Sequence, residues 1–187
     1  MYHPFIVGKK MYLRGLERKD LTGNYFQWAN DPDVTYYMFM GVKPNSIEQM
    51  EEEYNRLVSS NNDVVFAIID KKTHKHIGNA GLYAINWVSR SAEFRIIIGE
   101  KEFWGKGYGA ESTKLLVRYA FEKLNLNKVW LGVNAENLRA VKSYENAGFV
   151  KEGILRQEIH RNSKYYDAIR MSILRSEYYA SRGRSKK

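Results

Sequence analysis

The sequence predicts a single α/β (α+β) domain with a mixed, mostly antiparallel twisted sheet and flanking helices. Its 187 residues fit one domain, and 44% hydrophobic residues are enough to form a core. Short apolar segments of strand length alternate with segments of helical periodicity. No repeat, low-complexity segment or linker indicates a second domain. We therefore expect one domain over residues 1–180 and a basic C-terminal tail over residues 181–187.

Strand and helix patterns alternate in the first half of the chain. Residues 10–16 are expected to form a strand, and Asp20 is expected to cap a helix that ends at Asp31-Pro32. Ser46 with Gln49 three residues later is a capping-box pattern for a second helix over residues 47–58. Two apolar strands, residues 64–69 and 76–85, should pair antiparallel around the polar turn at residues 70–73.

The second half continues this alternation. Residues 92–98 are rich in β-branched and aromatic side chains and end at Gly99, which predicts another strand. A long amphipathic helix begins at Tyr108, because Leu116, Ala120 and Leu124 recur at four-residue spacing. Further elements are expected in this order: a strand at 128–133, a helix at 138–146, and two strands around a turn at 162–163.

Composition excludes several kinds of chemistry. Without cysteine the chain has no disulfide, no thiolate zinc ligand and no thiol nucleophile. No apolar run reaches the ~18 residues of a membrane span, and no signal-peptide pattern is present, so we expect a cytoplasmic protein without membrane contact. The histidines are too scattered to suggest a metal site. They are His3, His74, His76 and His160.

The chain carries a net charge of +9, and four positive charges lie in its last six residues. A basic excess suits an anionic ligand, either a polyphosphate cofactor or, less specifically, nucleic acid. A charged terminus is also typical of a frayed, solubilising tail.

A glycine-rich turn, Trp104 to Ala110, lies between a predicted strand and the long helix. Glycines let the backbone approach a ligand, and the first amides of a helix form a positive anion site suited to pyrophosphate. The same turn could bind nothing. Gly105, Gly107 and Ala110 also fit the dinucleotide fingerprint, which leaves a dinucleotide enzyme as an alternative.

A second group of residues favours one of these alternatives. Asn137 and Tyr144 are seven residues apart, so they share one helix face, with Ala140 between them leaving room for a ligand. Taken alone, Asn137 is typical of a helix start and Tyr144 of a core aromatic residue. A dinucleotide fold would instead require further strand–helix–strand units, which the end of the chain lacks.

These residues resemble the GNAT superfamily of N-acetyltransferases. The segment Trp104 to Gly109 matches its central glycine pattern, with Trp104 in place of the usual Gln or Arg. The pattern Asn-x-x-Ala-x-x-x-Tyr-x-x-x-Gly-Phe is matched in full by Asn137 to Phe149. Residues 28–34 resemble the ribosomal-protein N-terminal acetyltransferases, and residues 92–98 and 168–173 resemble the spermidine N-acetyltransferases.

The resemblance implies acetyl-coenzyme A as co-substrate, held between two splayed central strands, residues 92–98 and 128–133. The strand edge would bind the pantetheine arm and polarise the thioester carbonyl. The implied cofactor-binding residues are Ile97, Ile98, Gly99, Trp104, Gly105, Lys106, Gly107, Tyr108, Gly109, Ala110, Asn137, Ala140 and Tyr144.

The same resemblance implies direct transfer in a ternary complex. The acceptor amine must lose a proton, for which Glu93 is the candidate base; a structural ion pair with Arg95 or Arg90 is the alternative role. Asn134 would position a water molecule, and Tyr144 would protonate the departing thiolate.

The expected acceptor is a protein amino terminus, an amino sugar or another small amine. Residues 36–42 are aromatic and apolar, and the chain is basic, so a polyamine is less expected. A homodimer is possible, and a nucleic-acid partner is not expected. A catalytically inactive acyl-coenzyme A-binding or nucleic-acid-binding module remains a further alternative.

Overall fold

A computed structural model of the protein describes residues 3–38 and 40–184. Its described part contains one sheet of eight strands in the order β1-β2-β3-β4-β5-β6-β8-β7. The strands are β1 (Ile6–Val7), β2 (Met11–Gly15), β3 (Val64–Asp70), β4 (His76–Asn86), β5 (Ser91–Ile98), β6 (Lys128–Asn134), β7 (Val150–Arg161) and β8 (Lys164–Leu174).

Helices cover both faces of this sheet. The first helical segment bends, because Gly23 interrupts it with non-helical angles in a π-helical stretch at Leu21–Tyr25. A 3₁₀ turn at Lys101–Phe103 precedes the glycine-rich turn. The α-helices are α1 (Arg18–Asp20), α2 (Phe26–Asn30), α3 (Ile47–Ser59), α4 (Tyr108–Glu122), α5 (Leu138–Asn146) and α6 (Arg175–Arg184). None of the described helices is long and apolar enough to span a bilayer.

Strands β5 and β6 form the splayed central pair. They run parallel and pair only at Ser91↔Lys128, Ala92↔Val129 and Glu93↔Trp130, although both strands continue beyond these positions. The other neighbouring strands pair antiparallel. The predicted mixed, mostly antiparallel sheet is therefore confirmed, and a gap opens between β5 and β6 past Glu93.

The main core lies between the sheet and α4. Leu116, Ala120 and Phe121 of this helix are fully or almost fully buried and pack with Phe94 of β5 and Leu131 of β6. We call this side the α4 face. Alternate residues of each strand point to the other side, the opposite face, where α2 and α3 cover part of the sheet. There the ring of Trp28 packs against Ile97.

The prediction that Asp20 caps the first helix was wrong. Glu17 is the N-cap, and Asp20 is the third helical residue, whose carboxylate accepts from the Glu17 amide at 2.8 Å. Asp20 also receives two 2.7 Å hydrogen bonds from Arg14, and both side chains are buried. Asp20 therefore contributes to the cap as the third residue of a capping box and not as the N-cap, and its carboxylate also fixes Arg14 on β2.

Two elements were not predicted. Strand β1 has only two residues, too few for a periodic pattern. Helix α6 packs onto α4 through Tyr178, whose hydroxyl donates to Glu122 at 2.7 Å. This helix continues to Arg184, past the predicted domain boundary at residue 181, and residues 185–187 of the predicted tail lie outside the described residues.

Candidate active site

The glycine-rich turn forms an anion cradle at the start of α4. Gly107 is the N-cap with φ +85°, and Gly105 has φ +73°, a left-handed conformation in which other residues are strained. A Cβ added at Gly105 would meet no atom within 4 Å. The first amides of α4, which have no acceptor within the helix, are therefore available to a phosphate group.

Two long-range contacts fix this turn. The Lys10 ammonium donates to the Lys106 carbonyl at 2.7 Å, and the Tyr108 hydroxyl donates to Asp70 Oδ1 at 2.6 Å. Burial and the Asp70 carboxylate raise the pKa of Tyr108 to about 12, so the hydroxyl stays a donor at neutral pH. The Tyr108 side chain thus anchors α4 to the end of β3, and only its backbone amide remains for a ligand. Sequence reasoning missed Lys10, which lies far from the turn along the chain.

A cavity of about 580 Å³ extends from this turn to the gap between β5 and β6. Ten of the thirteen predicted cofactor-binding residues line it. These are Ile98, Trp104, Gly105, Gly107, Tyr108, Gly109, Ala110, Asn137, Ala140 and Tyr144. The aromatic loop also contributes a wall, made of Tyr36, Tyr37 and Met38.

Three predicted cofactor-binding residues do not line the cavity. The Gly99 amide donates to the Ile77 carbonyl at 2.9 Å, so this group faces β4 and not the gap. Ile97 lies two residues before Gly99 and therefore has the same orientation in the strand. Its side chain packs against Trp28 and Val34 on the opposite face. Lys106 is not among the lining residues, and its ammonium lies 5.9 Å from the ring centroid of Phe103, which is. Ile96 and Ile98 line the cavity, whereas Ile97 between them does not, because successive side chains of a strand point to opposite faces.

Trp104 closes one side of the cavity. Its indole nitrogen donates to the Ile98 carbonyl at 2.7 Å, and the Arg139 guanidinium lies 5.3 Å from its ring centroid. The indole therefore supplies a donor where Trp104 replaces the usual polar residue. The Ile98 carbonyl at the open edge of β5 therefore already has a partner, and the backbone amide of Ile98 is the group left for a ligand.

Helix α5 presents the second residue group to the cavity. Asn137 caps this helix, accepting from the Ala140 amide at 3.2 Å, and both residues also line the cavity. The helix-start role and the cavity position of Asn137 thus coexist.

Tyr144 lies at the inner end of this face. Its ring packs against Phe94 and Phe149, with centroid distances of 6.2 and 5.9 Å. Burial raises the pKa of the Tyr144 hydroxyl to about 12. Among the described residues we find no hydrogen-bond partner for this hydroxyl, which remains available to a bound molecule.

Glu93 and Asn134 lie outside the cavity lining. The Glu93 carboxylate accepts from Arg95 at 2.6 Å on the opposite face, which is the ion pair named as its alternative role. Asn134 is buried, and its side-chain oxygen accepts from the Glu136 amide at 2.9 Å, shaping the loop between β6 and α5. The cavity therefore brings Tyr144 to the gap but neither of the other two candidate catalytic residues.

Sequence reasoning missed seven further lining residues, of which Asp33 and Val34 precede the aromatic loop. Arg139 and Ser143 follow the same helical spacing as Ala140 and Tyr144, so this signal was present. Phe103 belongs to the glycine-turn segment. Thr113 and Ile96 gave no signal apart from helix and strand periodicity.

Comparisons with known proteins agree with this geometry. Residues 10–150 match the Acetyltransferase (GNAT) domain family. The chain is 38% identical over 173 residues to the spermidine N(1)-acetyltransferase of Vibrio cholerae serotype O1, covering 92% of this chain and 97% of that protein. It is 36% identical over 168 residues to the Escherichia coli K12 spermidine N(1)-acetyltransferase, covering 90% and 88%.

Solved structures give the same result. The crystal structure of Vibrio cholerae spermidine N-acetyltransferase with CoA and spermine superposes with a TM-score of 0.84, at 38% identity over 92% of this chain and 99% of that chain. The cradle, the open strand edge and the elongated cavity fit a phosphate-bearing thioester such as acetyl-coenzyme A. The chain therefore belongs to the GNAT acetyltransferases and is an acetyl-coenzyme A-dependent N-acetyltransferase.

Proposed function

We propose that the protein transfers the acetyl group directly to a small primary amine within a ternary complex. The observation that carries this proposal is the continuity of the cavity. It joins the anion cradle at Gly105 and Gly107 to the aromatic wall at Tyr36 and Tyr37, and Tyr144 lies between them. Both substrates therefore have a place in one cavity, without a covalent enzyme intermediate.

The proton donor in this proposal is Tyr144. Acetyl-coenzyme A supplies the activated carbonyl and a thiolate leaving group. Because the Tyr144 pKa is about 12, its hydroxyl is protonated throughout the neutral range and faces the cavity with no other partner among the described residues. The hydroxyl gives its proton to the departing sulfur. A thiol has an ordinary pKa of roughly 8.5 and is the stronger acid of the pair, so this transfer is uphill by itself, and collapse of the tetrahedral intermediate to the amide must supply the free energy.

The base in this proposal is Glu93. An alkylammonium with a pKa near ~10.4 has no lone pair for attack until it loses a proton. Glu93 occupies the last paired position of β5 before the gap opens, and its side chain lies on the opposite face of the sheet. Since the carboxylate does not line the cavity, a water molecule would carry the proton from the amine to Glu93.

The acceptor we favour is an amino sugar or a protein amino terminus. Among the described residues that line the cavity, Asp33 is the one carboxylate, and Lys101 binds it at 2.6 Å. Arg139 adds a positive charge to the same lining. A polycation would meet no uncompensated negative charge there, whereas half-exposed Tyr36 and Tyr37 suit the C–H face of a sugar or an apolar side chain.

A polyamine is the second candidate, and the comparisons favour it. Two spermidine N(1)-acetyltransferases share 38% and 36% identity with nine-tenths or more of this chain. The two candidates differ in charge, so a single assay separates them. A homodimer and a cytoplasmic location remain predictions.

The test is acetyl-coenzyme A turnover, measured as free thiol release, with glucosamine, peptides with free amino termini, spermidine and spermine as acceptors. We expect kcat/KM to be highest for glucosamine or a peptide. A clear preference for spermidine would transfer the proposal to the second candidate. Binding of coenzyme A with no turnover of any of these amines would contradict the proposed acceptor class.

A further inference from the structure

A row of polar side chains crosses the opposite face of the sheet next to the gap. Glu93 pairs with Arg95 on β5, and the Arg95 guanidinium lies 4.8 Å from the Tyr83 ring centroid. At the far end of the row, Glu152 of β7 accepts from Lys128 and from Ser172. These carboxylates are therefore already matched by cations within the sheet.

Arg170 of β8 is the exception in this row. Its guanidinium carbon lies 4.0 Å from the Trp130 ring centroid, so the indole holds the guanidinium plane by a cation–π contact. No salt bridge joins Arg170 to a carboxylate among the described residues, and its buried Nε has no hydrogen-bond partner there. The Glu152 carboxylate has its pKa lowered chiefly by its hydrogen bond from Lys128 and, to a lesser degree, by the positive charge of Arg170. The row therefore carries one positive charge that its carboxylates do not compensate.

Space is open on both sides of Arg170. Its cross-strand neighbours are Gly132 on β6 and Gly153 on β7. A Cβ added at either glycine would meet no atom within 4 Å, and Gly132 is exposed. Because glycine has no side chain, neither of these two neighbours covers the flanks of Arg170, and we call this uncovered stretch of the sheet the depression.

This depression adjoins the gap where transfer takes place. Trp130 pairs with Glu93 at the last contact between β5 and β6, and Gly132 is the next residue of β6 on the same face. A small acceptor lying on this face would place one end at the gap and the other over Arg170.

We infer that Arg170, on its Trp130 platform, binds an anionic group of the amine acceptor, either a carboxylate or a phosphate. A planar guanidinium offers two parallel donors, the geometry that both oxyanions accept. The inference rests on the proposed function and narrows its acceptor class to amines that carry a negative charge a few bonds from the nitrogen.

The experiment compares two pairs of acceptors that differ in an anion. The phosphate pair is glucosamine 6-phosphate and glucosamine, and the carboxylate pair is 5-aminopentanoate and pentylamine. Affinity is measured by calorimetry on the enzyme saturated with coenzyme A, and kcat/KM is measured in parallel by thiol release. For at least one pair we expect the anionic member to be favoured on the order of tenfold to a hundredfold.

Variants locate this preference. Arg170→Gln should abolish it while leaving the values for the neutral member of the pair within about twofold, and Arg170→Lys should retain part of it. The matched control is Arg156→Gln, which removes an exposed arginine of the neighbouring strand β7 and should keep the preference. Stabilisation of each variant by coenzyme A, measured as a rise in Tm, reports whether the fold is intact.

The outcomes separate the two proposals. Equal affinities within both pairs, or a preference that Arg170→Gln leaves unchanged, would overturn the anion site; the wild-type comparison alone suffices if the variant does not fold. An anionic preference in binding without any turnover would support the site and contradict the proposed acetyl transfer to these amines. Turnover of glucosamine and pentylamine without a preference for the anionic member of each pair would support the proposed acetyl transfer and contradict the anion site.

Discussion

The two sides of the gap between β5 and β6 are built in different ways. On the α4 face, the side that we propose binds the cofactor is built mainly from two continuous segments, the glycine-rich turn and helix α5, and it offers mainly backbone amides and one tyrosine hydroxyl. On the opposite face, the side that we propose binds the acceptor consists of single side chains from several strands, and most of its charges are already paired.

This difference indicates which half of the site tolerates sequence change. Backbone donors at a helix start depend on chain conformation, so only changes that alter φ or remove space affect them. The acceptor side depends on the identity of each side chain. We therefore expect substitution there to change acceptor specificity without disturbing the cofactor.

The largest effect is expected for Tyr144→Phe. Phenylalanine keeps the ring contacts with Phe94 and Phe149 but removes the hydroxyl, so kcat should fall roughly 10²-fold to 10³-fold with little change in KM for acetyl-coenzyme A. Steady-state kinetics with a saturating acceptor measure both constants. Kinetics equal to wild type would remove Tyr144 from the mechanism.

A somewhat smaller effect tests the acceptor side. Glu93→Gln should lower kcat about 10²-fold if the carboxylate takes up the proton of the acceptor ammonium. The loss of kcat should shrink as the pH rises, because the ammonium then loses its proton to the solvent without a base. Arg95→Gln, which removes only the partner at 2.6 Å, is the matched control and should change kcat a few-fold. If both variants lose activity equally at every pH, the ion pair is structural and Glu93 is not the base.

The cofactor side should respond to backbone strain. Gly107→Ala places a Cβ at φ +85°, which costs on the order of 1–2 kcal/mol and should weaken coenzyme A binding about tenfold. Titration calorimetry gives the Kd directly. Gly15→Ala, at a position with open space and no positive φ, serves as the control and should bind coenzyme A like wild type.

The smallest effect concerns the anchor of α4. Tyr108→Phe removes the 2.6 Å hydrogen bond to Asp70 and should lower the free energy of unfolding by about 1 kcal/mol, measured by urea denaturation. Because the folded pKa of Tyr108 is raised to about 12, this contribution is fully present below about pH 10 and is lost as the pH rises through 12. Tyr119→Phe on the same helix should show almost no change; an equal loss there would mean that removal of a hydroxyl from this helix, and not the bond to Asp70, lowers the stability.

The architecture and half of the residues that line the cavity were predictable from the sequence. Local sequence patterns placed the long helix, the late hairpin and the two central strands, because these patterns extend over many residues, and the family resemblance predicted that the two strands diverge. Asn137, Ala140 and Tyr144 lie on one face of one helix, and the glycines of the turn are adjacent in the chain, so local geometry alone brought them to the cavity.

The partner of each side chain depends on the tertiary structure and could not be predicted from the sequence. The choice of Ile96 over Ile97 depends on the phase of β5 relative to β4, which a single strand does not reveal. Glu93 became half of an ion pair, Lys10 reached the glycine-rich turn, and Arg170 settled on Trp130, each through neighbours fixed by strand register or helix packing. Electrostatic pairing is a property of distances in space, and these are set once the sheet has formed.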